Sequence, residues 1–196
     1  MRRATVLGGL CVAFLLSACA TAPVKAPPAQ SWGARRSQLQ ALPQFNLRGR
    51  VAVAAGSEGF NARLLWRQTG SRSIVALDSP LGAGGVQITS DGSSLTVDTS
   101  RGEHLDSEAA RSELTSRLGF DPPLRSLRYW VLGVPDPASP AKETLDDQQR
   151  LSGLQQDGWQ VDYPGYTSNG GEWLPSRVTL QRQGVRVRLI VDGWNS

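Results

Sequence analysis

The chain has 196 residues, 21 Lys+Arg against 17 Asp+Glu for a formal net charge of +4, and only 19% charged and 39% hydrophobic residues, with one His, two Cys and one Met. That length normally makes one domain able to bury a full core, with room for a tail. The composition excludes a collagen-like repeat, a disulfide scaffold and a charged disordered protein, and a lone His with two Cys cannot build a usual zinc site.

Met1-Arg2-Arg3 is a short basic start, and residues 6–16 are an apolar run interrupted by Gly8-Gly9 and Cys11. A run this short behind positive charge reads as an export signal and not as a spanning helix. It ends in Leu16-Ser17-Ala18-Cys19, which resembles the bacterial lipobox. In proteins that carry the box, the signal is cut before the Cys. Ser17 and Ala18 would fit the narrow peptidase groove, and the Cys19 thiol would take a diacylglycerol while its amine is acylated. The other reading is an ordinary secretory signal with an incidental Cys. The lipobox implies residues 1–18 as a removed signal and Cys19 as the lipid attachment site, with more than one acyl chain, as stable anchoring requires. Cys11 leaves with the signal, so no free thiol remains to form a disulfide. Loss of Arg2 and Arg3 lowers the net charge to +2. Ala20 stands where the Asp of many inner-membrane lipoproteins would be, which favours the outer membrane.

Residues 19–31, with Pro23, Pro27 and Pro28, read as a lipid-anchored tether that lets a folded domain, 32–196, sit off the membrane. A short helix is expected over 31–42, stopped by Pro43. From Phe45 the period changes to two. Phe45, Leu47, Val51 and Val53 alternate with polar or small residues, as do Phe60, Ala62, Leu64 and Trp66, with Gly56-Ser57-Glu58-Gly59 between them. This is a hairpin with one apolar face. Short strands follow at 74–77, 86–88 and 95–97, with Asp91-Gly92 as a tight turn. Asp106-Ser107-Glu108 opens a helix through Leu118, with Ala110, Leu114 and Leu118 on one face and Gly119 after it. Pro122-Pro123 opens another over 124–132, and a Pro-rich loop covers 133–140. Strands return at 151–156, 159–163, 178–182 and 185–191. The order strands, helices, strands gives an α+β fold with a mainly antiparallel sheet and helices covering one opening. About nine to eleven strands cannot stay flat and would curl into a barrel or half-barrel, its interior either a solid core or a lipid-sized cavity.

No enzyme chemistry stands out. His104 has no nucleophile motif around it, and there is no Gly-x-Ser-x-Gly. Asp146-Asp147 and Glu108/Glu113 read as solvated loop and helix-face charges, since no closed pocket is indicated to shift their pKa values. Gly82-Ala83-Gly84-Gly85 lacks the Lys-Ser/Thr of a phosphate loop. The arginines are dispersed along an exported chain, which argues against nucleic acid. The segment Asp78-Ser79-Pro80-Leu81-Gly82-Ala83-Gly84-Gly85 places a Leu at an uncharged tip between strands, where it either folds back on the core or is presented outward.

Together these residues resemble the LolB family of outer-membrane lipoprotein receptors. The match includes Leu47-Arg48-Gly49-Arg50-Val51-Ala52-Val53, Trp66-Arg67-Gln68-Thr69-Gly70, Pro80-Leu81-Gly82 and Ser126-Leu127-Arg128-Tyr129-Trp130-Val131-Leu132-Gly133-Val134-Pro135. It continues through Leu145-Asp146-Asp147-Gln148 with Arg150-Leu151, Gly158-Trp159-Gln160-Val161-Asp162-Tyr163 and Val187-Arg188-Leu189-Ile190-Val191-Asp192-Gly193-Trp194. Residues 133–144 are the least family-like stretch, and Trp173 reads as an addition.

The resemblance implies an incomplete, open antiparallel β-barrel with a helical lid over a hydrophobic cavity. It implies a non-enzymatic, monomeric protein without cofactor or metal, facing the periplasm from the outer membrane. Such a protein takes acylated lipoproteins from a soluble LolA-type carrier and inserts them into the inner leaflet of the outer membrane without nucleotide. It also implies that Leu81, between Pro80 and Gly82, projects outward for membrane delivery. Leu64, Trp66, Val86, Ile88, Trp130 and Val131 are the acyl-cavity candidates from alternation and lid position. The alternatives are a lipoprotein that binds a phospholipid or envelope glycolipid, and a structural lipoprotein with a solid barrel.

Overall fold

The computed structural model describes residues 31–79 and 84–195; the signal, Cys19 and the tether, together with Pro80, Leu81 and Gly82, lie outside them. The chain begins with α1 (Trp32–Gln40), then β1 (Gln44–Ala55), β2 (Glu58–Thr69), β3 (Arg72–Asp78), β4 (Gly85–Asp91), β5 (Ser94–Thr99) and β6 (His104–Asp106). Two helices follow, α2 (Ser107–Leu118) and α3 (Leu124–Trp130). The rest is β7 (Ala141–Leu145), β8 (Leu151–Gln156), β9 (Trp159–Asn169), β10 (Glu172–Arg182) and β11 (Val185–Asn195). All eleven strands form one antiparallel sheet in the order β6-β5-β4-β3-β2-β1-β11-β10-β9-β8-β7. It consists of two meanders joined where β1 pairs with β11, and the edge strands β6 and β7 do not pair with each other. The chain crosses between those edges through α2 and α3. This is the open barrel with helices over it that the family resemblance implies, and it agrees with the element order read from the sequence.

The period-two pattern explains the concave face. Phe45, Leu47 and Val53 of β1 are buried, as are Ala62, Leu64 and Trp66 of β2, while Arg48, Arg50, Arg63 and Arg67 between them are exposed. Gly49 occupies an inward position in this series, and the β1–β11 ladder shifts register beside it. A Cβ there would sit 2.3 Å from the Ile190 carbonyl oxygen, so the two backbones can approach only at glycine. The larger apolar cluster joins α1, β1, β2, α3 and β8–β11, and a smaller one packs Ala110 and Leu114 of α2 on Ile88, Leu95 and Val97. Helix α2 ends in Gly119 at φ +77°, the left-handed cap its position after Leu118 predicts.

Two strands and the extents of three further elements differ from the expectation. Strands β6 and β7 were not anticipated, because β6 is three residues long and the half-buried Ala141, Glu143 and Leu145 of β7 give an edge strand little apolar contrast. Strands β9 and β10 run on to Asn169 and back from Glu172, although Pro164 and Pro175 interrupt both sequences. Register shifts between Pro175 and Arg177 and between Arg177 and Thr179 accommodate the extension, and the Pro175 carbonyl accepts a hydrogen bond from Trp194 Nε1 at 3.0 Å. Helix α3 ends at Trp130, earlier than 132, because the chain there tightens into turns closed by Leu132 N to Tyr129 O and Gly133 N to Trp130 O bonds, both 3.0 Å.

The segment after α3 is held from the sheet. Gln156 of β8 is 3% exposed; its Oε1 accepts from Trp130 Nε1 at 2.8 Å and from the Asp136 N–H at 2.9 Å. Its Nε2 donates to the carbonyls of Asp136 and Ser139, each at 2.8 Å. Helix α1 clamps the same side. Trp32 and Arg36 reach Glu143 at 2.6 and 3.0 Å, Gln40 Nε2 donates to the Pro135 carbonyl at 2.8 Å, and buried Arg35 pairs with Glu172 and donates to the Trp173 carbonyl. Burial draws the Arg35 pKa down, against the opposing pull of Glu172. Gln156→Leu strands two buried donors at once and should cost roughly 2–5 kcal/mol in urea unfolding, with an unchanged denaturant slope.

Candidate functional site

The concave face and the helices enclose a cavity of about 120 Å³ whose nineteen lining residues are all apolar. The sheet contributes Val51, Val53, Phe60, Leu64, Trp66, Val75, Leu77, Ile88, Trp159, Leu180, Val187 and Leu189, so seven neighbouring strands, from β4 through β1 and β11 to β9, supply one wall. The lid contributes Leu118 from the end of α2, Phe120, Pro122 and Pro123 from the linker, Leu124 and Leu127 from α3, and Val131 just beyond it. An apolar lining of this kind offers water no hydrogen-bond partners. The structure therefore holds a space and not the solid barrel that the pattern left open.

Of the candidate lining residues, the structure brings Leu64, Trp66, Ile88 and Val131 together around this cavity. Val86 faces an adjoining, partly polar space of about 310 Å³ with Ser79, Gly84, Arg101 and Arg117. Trp130 lines neither; it is fully buried behind the lid, its ring 6.3 Å from that of Trp159 and its N–H bound to Gln156. Its carbonyl accepts the Tyr163 hydroxyl at 3.0 Å, and burial pushes that hydroxyl's pKa well up. Trp130 fixes the base of the lid.

Several lining residues were not picked out from the sequence. Phe60 continues the alternation of Ala62 and Leu64, and Phe120 with Pro122-Pro123 marks an apolar linker between two helices, so both carried a readable signal. Trp159 and Val187 needed the fold, because they reach the cavity from the second meander. Trp159 is also chemically unusual: its Nε1 is the one buried side-chain polar atom among the described residues with no hydrogen-bond partner. Its ring lies between Phe120 and Trp130, with centroids 5.6 and 6.3 Å away, and under the Arg182 guanidinium.

The titratable groups singled out earlier lie elsewhere. His104 is on edge strand β6, exposed, with Asp98 at 2.6 Å, and that hydrogen bond raises its pKa. For Asp146 burial favours the neutral form, but hydrogen bonds from Arg150 and from the backbone N–H groups of Arg150 and Gln148 outweigh it and hold the pKa down. Glu113 pairs with Arg117 along α2. These contacts close a turn, an edge and a helix face. None lines the apolar cavity.

Comparison with known proteins agrees with this arrangement. The family described as outer membrane lipoprotein LolB matches residues 43–194. The outer-membrane lipoprotein LolB of Pseudomonas syringae pv. syringae is 34% identical over 170 residues, covering 87% of this chain and 82% of that protein. That of Pseudomonas aeruginosa is 32% identical over 166 residues, covering 85% and 81%. Among solved structures, a LolA superfamily protein from Nitrosomonas europaea superposes with a TM-score of 0.55 at 13% identity, covering 85% of this chain and 93% of the other. At that identity the likeness concerns the fold alone. With the apolar cavity under its lid and the match across both meanders, the chain belongs to the LolB family of outer-membrane lipoproteins.

Proposed function

We propose that acyl chains pass through the apolar cavity under α2 and α3, and that this is how the protein does the family's work. That work is to act as the outer-membrane receptor that accepts lipoproteins from the LolA carrier and inserts them into the outer membrane. The observation that carries the reading is the cavity itself, lined by apolar residues alone and roofed by the segment from the end of α2 through α3. Each methylene exposed to water costs about 0.8 kcal/mol, so several long chains cannot cross the periplasm unprotected. Transfer must run from one apolar cavity directly to another, then into lipid, with each step downhill and no nucleotide required.

The cavity of about 120 Å³ is small beside several long acyl chains, and in this reading it widens by movement of the lid. The turn at Gly119, ahead of the stiff Pro122-Pro123, is the hinge this reading assigns, since Gln156 fixes the other end. Cys19 is the anchor, and Leu81 is the residue that enters the leaflet on delivery, the protein acting as a monomer.

The test mixes the full chain, anchored in vesicles, with carrier loaded with an acylated lipoprotein. Cargo should leave the carrier and appear in the vesicles without nucleotide; retention on the carrier, with phospholipid bound instead, would replace this reading by that of an envelope-lipid binder. Val187→Phe fills the cavity and should slow uptake roughly fivefold or more while the fold is kept. Leu81→Glu should leave uptake intact and block release into the vesicles; unchanged release removes that role. Cys19→Ser should lose the acyl mass by mass spectrometry and no longer sediment with membranes.

A further inference from the structure

The arginines that are scattered along the sequence are not scattered on the surface. Outward positions of four adjacent strands hold Arg48 and Arg50 of β1, Arg63 and Arg67 of β2, Arg177 of β10, and Arg186 and Arg188 of β11, all exposed. Asp192 is the one acid exposed beside them, paired with Arg50 at 2.9 Å; Glu172 of β10 is held by Arg35 of α1. Seven of twenty-one basic residues and one of seventeen acids sit here, so a chain of net +4 carries +6 on this face and −2 over all the rest.

Register makes the crowding specific. Arg177 lies opposite Ile190, Ile190 opposite Arg50, and Arg50 opposite Arg63, one continuous row across β10, β11, β1 and β2. Like charges directly opposite destabilise a sheet, yet of the seven only Arg50 has a carboxylate partner among the described residues. Two of the three large hydrophobic residues most exposed among the described residues, Leu65 at 51% and Ile190 at 41%, lie within this field. Guanidinium groups match phosphate geometry, and basic residues interleaved with apolar ones suit a headgroup layer.

We propose that this outer face of β10–β11–β1–β2 docks on an anionic phospholipid surface. An outer-membrane lipoprotein has such a surface within reach, and the row ends at Arg63 opposite Asp78, the last residue of β3. Docked this way, the sheet lies with its back on the leaflet and turns its concave face, lid and cavity toward the periplasm. The inference goes beyond the cavity reading and does not need it.

The full acylated chain anchored in vesicles tests it, with a spin label at Asn61→Cys on the outer face of β2 and, separately, at Ser116→Cys on α2. On phosphatidylglycerol mixed into phosphatidylethanolamine, the Asn61 label should lose contact with a water-soluble relaxant by roughly threefold or more, and the Ser116 label should not. High salt, neutral phosphatidylcholine, or the combined Arg48→Gln, Arg63→Gln, Arg67→Gln and Arg188→Gln changes should restore contact. The combined Arg101→Gln, Arg111→Gln, Arg117→Gln and Arg125→Gln changes, on the lid side, should leave the protection unchanged. Equal contact on anionic and neutral vesicles overturns the proposal, as does equal loss in both quadruple variants. Protection that appears only when carrier is added assigns the face to the carrier and likewise overturns it.

Discussion

An apolar space must be kept open inside a fold whose main driving force is to close it. At about 24 cal/mol per Å³, an empty volume of 120 Å³ costs on the order of 3 kcal/mol, a sizeable part of the stability of a domain. The walls must therefore resist collapse. On one side they are backbone ladders, which cannot shift one residue without turning the whole inward set to solvent. On the other side Pro122-Pro123 stiffens the roof, and the buried Gln156 amide holds Trp130 and the chain beyond α3 by five hydrogen bonds. The unpartnered Trp159 N–H is a second standing cost at the same wall. A site that is expensive when empty favours whatever fills it.

The two faces of the sheet divide the work. Alternation sends apolar side chains to the concave face and arginines to the convex one, so one strand such as β2 serves both, with Leu64 and Trp66 inward and Arg63 and Arg67 outward. Helix α1 and the Glu143, Glu172 and Trp173 contacts brace the second meander, which bears the lid's attachment. Trp173, atypical of the family resemblance, is used there through its carbonyl and as a platform for Arg150.

Much of this was legible in the sequence where the signal is local. The hairpin of β1 and β2, the cap at Gly119 and the helix opened by Pro122-Pro123 follow from periodicity and from residues with narrow backbone preferences. What was hidden depends on pairing between distant segments. Strand β7 has weak contrast because it is an edge, and Trp130 looks like a lining residue until Gln156, twenty-six positions later, is seen to take its N–H. Leu64 and Ile88 could be read from alternation; Trp159 and Val187 could not, since only the β1–β11 junction brings their meander to the cavity. The clustering of the arginines was invisible for the same reason.

That junction also sets the order of assembly. Strand β1 is the first strand made and β11 the last, and Asn46 pairs with Asn195. Closing so long a loop is slow, and contacts of this sequence separation come late in folding. The first six strands can form a meander as they emerge, but they lack the partner that completes the binding wall until the C-terminus has arrived. A chain made from its N-terminal end therefore has no finished cavity wall until β11 has been made and has paired with β1, whatever the first six strands have already formed.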